Sequence, residues 1–136
     1  MFIDVVGIPA PQGSKKSIGN NRFVETSKKL PAWRKAVKEA ALKVLETEQK
    51  IEGPVWLELD FFVPRPKTVS VEQRPWPITP PDSSKLLRAV EDSLTDAGVW
   101  VDDSYVVDVH VREFYADCRE PGCAIRVGLV DWLPDN

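Results

Sequence analysis

The chain of 136 residues contains one histidine, two cysteines and no hydrophobic run near the roughly 18 residues that a membrane span requires. A zinc site needs three or four ligands, and His110, Cys118 and Cys123 are the only histidine and cysteine side chains available. We therefore expect neither zinc chemistry nor membrane insertion. The first residues lack the basic and apolar stretches of a signal peptide, which predicts a cytoplasmic protein with both cysteines as thiols.

Several common functional motifs are also missing. The sequence has no glycine-rich phosphate loop after a strand, no Gly-x-Ser-x-Gly and no Cys-x-x-Cys. Its charge, however, is divided unevenly, because residues 1–50 carry ten Lys or Arg against five Asp or Glu and residues 51–136 carry eight against sixteen. A basic segment suits a polyanion, and an acidic cluster facing the same ligand would need cations between them. Solvated faces without a function would explain the same charges.

The first third of the chain predicts a strand, a basic loop and a helix. Residues 2–8 resemble a short strand, and residues 12–22 have the composition of a flexible basic loop. Apolar residues at helical spacing predict a helix that starts near Leu30 and is capped by Ser27. Arg34 projects at the margin of the apolar stripe, where either a rim salt bridge or an anionic ligand would accompany the guanidinium.

The remainder predicts an α+β fold. In residues 55–63 apolar and polar residues alternate, which predicts a strand with one face in the core. The proline-rich residues 64–81 are expected to form an exposed connection. Its Trp76 either stacks on an unpaired base or packs on protein. A second helix is expected from Ser83 to Ala97, capped by Asp82 or Ser83 and stopped by Gly98. Two further strands, at 105–114 and 124–130, are expected to form a hairpin. The predicted architecture is one domain, 1–136, with two main helices and a mixed sheet of about four strands.

Carboxylates are the remaining candidates for chemistry. Asp82 precedes the second helix and Asp102 and Asp103 follow it, about 20 Å away along the helix axis. These ends meet only if the chain turns back along the helix or if a twofold partner supplies the missing side. A persistent carboxylate cluster usually holds a cation, and oxygen ligands select Mg²⁺ or Mn²⁺. Such a cation supports phosphodiester hydrolysis. Lys85 and Arg88 could then neutralise the charge on the phosphate. Local hydrogen bonding in a loop or helix cap is the alternative use of these aspartates.

The strings Asp82-Ser-Ser-Lys-Leu-Leu-Arg88 and Asp102-Asp-Ser-Tyr-Val106 resemble the signature of the RusA family of Holliday junction resolvases. That signature is approximately Asp-x-Asp-Asn/Lys-Leu-x-Lys/Arg, then Asp-x-Leu, then Asp-Asp-x-x-Val. Residues 7–16 and 32–34 are also similar to phage-type members, so the resemblance spans nearly the whole chain. It implies a homodimeric, Mg²⁺-dependent endonuclease of the bacterial host cytoplasm that binds four-way DNA junctions and nicks two strands symmetrically.

Carried over by position, the resemblance implies that Asp82 and Asp103 are catalytic metal ligands, with Asp102 as a neighbouring ligand. Arg88 falls where bacterial enzymes have a catalytic lysine. Ser84 departs from the pattern, because the second aspartate of the motif belongs there and a hydroxyl binds Mg²⁺ more weakly than a carboxylate does. The alternatives are therefore a noncatalytic junction-binding protein with a weakened metal site and another Mg²⁺-dependent phosphoryl enzyme.

Basic residues of the N-terminal third are the candidates for DNA binding, because they can neutralise phosphates. They are Lys15, Lys16, Arg22, Lys28, Lys29 and Arg34.

Overall fold

The computed structural model describes residues 1–13 and 28–135, together with the backbone of two strands between them. The helices are α1, Leu30–Val44, and α2, Ser83–Ala97. The strands are β1 (Phe2–Val6), β2 (Lys15–Gly19), β3 (Arg22–Glu25), β4 (Val55–Val63), β5 (Val106–Tyr115) and β6 (Gly122–Leu129). The α+β fold with a mixed four-stranded sheet is thereby confirmed.

The main sheet has the order β1-β6-β4-β5, in which β5 runs parallel to β4 and β6 runs antiparallel to it. The predicted hairpin between β5 and β6 is therefore wrong, because β4 lies between them. Burial explains the order. The first four residues of β6 are buried, which suits an interior strand, whereas β5 exposes Val107, Val109 and His110 and lies at the edge. His110 lies on a strand face, as predicted, with its Nε2 3.2 Å from a carboxylate oxygen of Asp108.

The predicted basic loop is also partly wrong, since β2 and β3 pair as a separate antiparallel two-stranded sheet. Composition did not indicate these strands, because the lysine, serine and glycine residues of β2 lack hydrophobic alternation. The side chains of residues 14–27 lie outside the described part of the chain. This includes Ser27, the predicted cap of α1, and the N-cap position of that helix is Lys29.

Both helices pack on one face of the main sheet and supply much of the core. Leu86, Val90 and Leu94 of α2 are fully buried with Trp33 and Val37 of α1. The bounds of α2 are confirmed at both ends. It stops where Gly98 adopts a left-handed conformation with φ of 85°, which a glycine takes at no steric cost.

The connection between β4 and α2 contains no helix or strand, as predicted, but it is held in place. Arg65 donates two hydrogen bonds of 2.8 Å to the carboxylate of Asp117 and further bonds to the carbonyls of Ser70 and Arg74. The Trp76 ring packs 5.5 Å from the ring of Phe114, centroid to centroid. Trp76 thus makes a contact with protein, while 58% of the residue is exposed and stacking on an unpaired base stays a prediction.

Cys118 is exposed and Cys123 is buried, and both are free thiols. Neither described helix is long and apolar enough to cross a membrane.

Candidate functional site

The outward face of α2 carries Ser84 and Arg88, which the sequence motif includes, and Glu91. We call these three residues together the α2 face. Four- and three-residue spacing places them on one side of the helix, opposite its buried leucines and valine. Ser84 and Arg88 are exposed and Glu91 is half-buried. The α2 face is therefore a polar strip available to a ligand, with chain segments on both of its flanks.

On one flank the chain turns back along the helix after Gly98, as the sequence requires if the aspartates are to approach it. The 3₁₀ turn Asp103–Tyr105 contacts α2. Partial burial raises the pKa of Glu91, and the negative charges of Asp103 and Asp92 raise it further against the opposing effect of Arg88. Glu91 and Asp103 therefore form one acidic pair on the middle of the helix.

A second acidic pair lies at the start of α2. Burial raises the pKa of Glu113, near the end of β5, to about 7, and the charge of Asp82 contributes to this shift. Asp82 occupies the N-cap position, yet among the described residues its carboxylate makes no capping hydrogen bond and instead lies 4.0 Å from Nζ of Lys85. The carboxylate of Asp82 is thus largely exposed and available to a ligand.

The structure does not bring Asp82, Asp102 and Asp103 together into one group. From Asp82 to Glu91 the helix rises by about 14 Å, so the two acidic pairs are separate along it. No group of three or more His, Cys, Asp or Glu side chains suited to a metal ion occurs among the described residues. Asp102 accepts hydrogen bonds from the hydroxyl and then the backbone N–H of Ser104, and these bonds, the first above all, lower the pKa of Asp102. This local use of Asp102 is the alternative that the sequence left open.

The other flank of the α2 face is the segment that leads into the β2–β3 hairpin. The backbone N–H of Gln12 donates to the carbonyl of Lys85 at 3.0 Å, and the Gln12 side chain donates to Asp92. A Cβ atom at Gly13, whose φ is 97°, would lie 3.0 Å from a guanidinium nitrogen of Arg88. The basic hairpin therefore leaves from a segment that is fixed against α2.

The predicted DNA-binding residues have mixed positions. Lys28 and Lys29 are exposed before α1. Arg34 forms an ion pair with Asp96 of α2 at 2.9 Å, which corresponds to the rim salt bridge. The side chains of Lys15, Lys16 and Arg22 lie outside the described residues.

Glu113 is the residue that the sequence analysis missed. A signal was available, since it continues the alternation of Val107, Val109 and Val111 in the sequence and is the one acidic residue in that series. In the structure it follows Val111, which packs against the core, and pairs with the buried Phe61 of β4. One of its carboxylate oxygens, Oε2, is buried and has no hydrogen-bond partner among the described residues. Such an atom in a native fold calls for a ligand, a water or a functional reason.

A cleft of about 550 Å³ opens beside Asp82 and reaches Glu113. Seven of its sixteen lining residues are prolines, from the connection 64–81 and from the segment after β1. Lys29 and Lys85 are its cationic lining residues. The cleft thus combines apolar walls with charged groups at the start of α2.

The raised pKa of Glu113 predicts a pH-dependent effect on stability for Glu113→Gln. The unfolded chain loses this proton near pH 4.5 and the folded chain near pH 7, so ionisation of Glu113 destabilises the fold as pH rises through this window. Glu113→Gln should therefore be more stable than the parent at pH 8, by about 1 kcal/mol after allowance for solvent screening, and no more stable at pH 4.5.

Urea unfolding at both pH values measures this difference. Asp82→Asn is the companion variant, because removing the neighbouring charge should lower the pKa of Glu113 and reduce the pH dependence. A stability difference for Glu113→Gln that is the same at pH 4.5 and pH 8 would contradict the assignment.

Both acidic pairs are suited to a divalent cation in their donor chemistry. Carboxylate oxygens are hard ligands, and Mg²⁺ is often held by only one or two carboxylates, with water and phosphate oxygens completing its coordination. Repulsion between Asp103 and Glu91, which raises the pKa of Glu91, is the electrostatic condition that a cation relieves. The residues present therefore fit a cation shared with a phosphate, although not a cage built from this chain alone.

Comparison with known proteins now identifies the family. The family described as Endodeoxyribonuclease RusA matches residues 7–128, nearly the whole chain. A protein of Bacillus subtilis (strain 168) with the name "Uncharacterized protein YqaN" is 30% identical over 125 residues, covering 83% of this chain and 86% of the relative. The chain belongs to the RusA family of endodeoxyribonucleases.

Proposed function

We propose that this endodeoxyribonuclease is a single-domain, Mg²⁺-dependent resolvase that acts as a homodimer in the cytoplasm of a bacterial host cell and places paired symmetric nicks in four-way DNA junctions. Membership of the family implies a nuclease of the junction-resolving type with branched DNA as its substrate. The metal, the dimer, the symmetry of cleavage and the residues responsible are the parts that we infer.

One observation carries the proposal. Carboxylates lie at two points along α2, at its start where Asp82 and Glu113 line one cleft, and at its middle where the 3₁₀ turn with Asp103 contacts the helix. The same helix also holds the segment that leads into the basic β2–β3 hairpin. Carboxylates alone would repel a DNA backbone, whereas carboxylates beside a basic hairpin can share a cation with a phosphate that the hairpin helps to hold. The arrangement is therefore that expected for metal-assisted cleavage of a polyanion.

The catalytic roles are those that membership of the family implies for the residues at these two points. Asp82, beside Glu113, and Asp103, beside Glu91, would each contribute a carboxylate to a Mg²⁺ site that a twofold partner completes, and Mn²⁺ could replace Mg²⁺. When bound, such a cation lowers the pKa of a water molecule and stabilises charge on the leaving oxygen. Lys85 and Arg88 lie on the same helix and can neutralise the non-bridging phosphate oxygens during cleavage. Asp102, predicted from the sequence as a further ligand, also holds the 3₁₀ turn through Ser104.

The homodimer is supported by the incompleteness of the metal site. Within one chain the described carboxylates form pairs and no group of three. A twofold partner could complete each site, and two sites related by that axis match the symmetry of a junction that receives two equivalent nicks. Light scattering of the protein alone and on junction DNA tests this, since a monomer in both states would contradict it.

Lys15→Glu/Lys16→Glu should weaken junction binding by about tenfold at moderate salt, because each phosphate contact contributes close to one unit of salt slope and two contacts are reversed. Fluorescence polarisation from 50 to 300 mM salt measures affinity and slope together. Lys38→Glu/Lys43→Glu, at two exposed lysines of α1, is the matched charge-reversal control. An unchanged affinity and slope in the hairpin variant would remove these lysines from the DNA surface.

Cleavage of a synthetic four-way junction, with Mg²⁺ and with a chelator in its place, tests the function itself. The proposal expects paired nicks that require the cation. Junction binding without cleavage at any Mg²⁺ or Mn²⁺ concentration would favour the noncatalytic junction-binding alternative, which Ser84 in place of an aspartate would explain. Equal cleavage of junctions and linear duplexes would indicate a different phosphoryl enzyme.

A further inference from the structure

The cleft beside Asp82 shares only Asp82 and Lys85 with the residues assigned to cleavage, and the composition of the rest of its lining is unusual for a DNA-binding surface. Most of its lining is apolar, with proline rings on several sides. Its volume of about 550 Å³ lies within the range of about 300 to 1,000 Å³ that is typical of small-ligand sites. A phosphate backbone would gain nothing from such walls, whereas the flat apolar face of a nucleobase would.

Both walls of the cleft are fixed before any ligand arrives. The proline-rich connection is held by Arg65, which binds Asp117 and two backbone carbonyls, and by a hydrogen bond of 2.8 Å from Arg74 to the hydroxyl of Tyr115. The segment after β1 is held to α2 by the hydrogen bond from Gln12 to Lys85. A ligand would therefore enter a preformed site, and little conformational entropy would be lost in ordering its walls.

The polar groups of the cleft select the kind of base. Oε2 of Glu113 is buried and has no hydrogen-bond partner among the residues that the structure describes. A carboxyl group offers an acceptor oxygen whether or not it is protonated, and the exocyclic amino group of a nucleobase is a donor that fits it. Lys29 and Lys85 line the same cleft and can hold the phosphates on either side of the nucleoside.

We propose that this cleft receives one unstacked nucleobase that carries an exocyclic amino group, from the strand whose phosphate lies at Asp82, with Glu113 as its hydrogen-bond acceptor. The inference rests on the proposed function, because it requires DNA on the α2 face. Bases extruded from a duplex are held in this way elsewhere, between apolar side chains and with hydrogen bonds to their edge. At a junction the strands exchange between helices, so a base near the crossover loses part of its stacking and costs less to extrude.

The test uses the full-length protein in a chelator, so that junctions bind and are not cut. Junctions carry 2-aminopurine, an amino-bearing base whose fluorescence rises when it leaves the stack, at successive positions around the crossover. We expect a several-fold rise at one position. Thr79→Phe, at an exposed residue that lines the cleft, should abolish the rise, whereas Ile78→Phe, at the neighbouring exposed residue outside the cleft, should preserve it.

The role of Glu113 is tested by removing the amino group from the base. Replacing adenine by purine at the responsive position should weaken binding of the parent protein by about tenfold. Glu113→Gln keeps a carbonyl acceptor and should retain this preference. Glu113→Leu should lose it and bind both junctions alike, with its fold checked by circular dichroism and thermal unfolding.

Fluorescence polarisation with an unmodified junction shows whether the proposed function has failed or only the base site. If the unmodified junction does not bind, both the proposed function and this inference fall. If it binds while no position responds, or if the response persists in both Thr79→Phe and Glu113→Leu, only the base site is overturned. The assignment of Glu113 is overturned by two results together. The fluorescence response persists in Glu113→Leu, and the parent protein shows no preference for adenine over purine.

Discussion

Asp82→Asn and Asp103→Asn should each reduce junction cleavage by at least about 100-fold while junction binding persists. A metal-stabilised transition state is worth several kcal/mol, and about 2.7 kcal/mol corresponds to this factor. The substitution preserves size and removes one charged ligand. Because a negative charge also leaves the DNA surface, binding in the absence of metal should be unchanged or tighter.

Two further variants make the measurement specific. Asp131→Asn changes an exposed aspartate after β6 and should leave cleavage unaltered. Asp102→Asn tests whether Asp102 is a metal ligand or only holds the 3₁₀ turn. Asparagine can still accept the hydrogen bonds from Ser104 that hold this turn, so a loss of cleavage in this variant would indicate that Asp102 is a ligand. Single-turnover cleavage with saturating protein separates a loss of chemistry from a loss of binding. Full activity in Asp103→Asn would refute its role as a ligand.

The contrast between Asp103 and Glu113 shows what the sequence could predict. Asp103 stands in a motif of recognisable spacing, so its proximity to α2 was expected once the chain was required to turn back. Glu113 reaches Asp82 only because β5 runs parallel to β4 at the edge of the sheet, which places the far end of β5 beside the start of α2. Local patterns predicted both strands, but strand order depends on contacts between residues far apart in the sequence, and the hairpin that was predicted instead would place β5 beside β6.

The bounds of α2 could be predicted from the sequence, whereas the environment of its charged side chains could not. The apolar stripe and Gly98 gave the bounds of α2, because helical spacing and a left-handed stop are local properties. The raised pKa of Glu91 is a tertiary property, since it depends on partial burial in the fold and on the charge of Asp103 in the 3₁₀ turn that contacts α2. The same holds for Gln12, which lies in the stretch similar to phage-type members but whose hydrogen bonds to Lys85 and Asp92 depend on the tertiary fold.

Ser84→Asp should lower the Mg²⁺ concentration required for half-maximal cleavage by about tenfold. Ser84 lies on the α2 face, two residues after Asp82, and a carboxylate there would add a charged ligand for a hard dication. An aspartate in the first turn also interacts with the helix dipole, but this is worth only about 0.3 to 1 kcal/mol of stability and does not depend on the side of the helix that it occupies.

Ser83→Asp is the matched control for this prediction. Ser83 is exposed in the same turn, so an aspartate there gains the same dipole benefit, but it projects about 100° away from the α2 face. Titrating Mg²⁺ against junction cleavage should therefore show a shift for Ser84→Asp and none for Ser83→Asp. Equal shifts in both would indicate a general electrostatic effect. No shift in either would mean that residue 84 does not face the metal, and Glu91→Gln should then raise the Mg²⁺ requirement, because Glu91 beside Asp103 would be the carboxylate that replaces the missing aspartate.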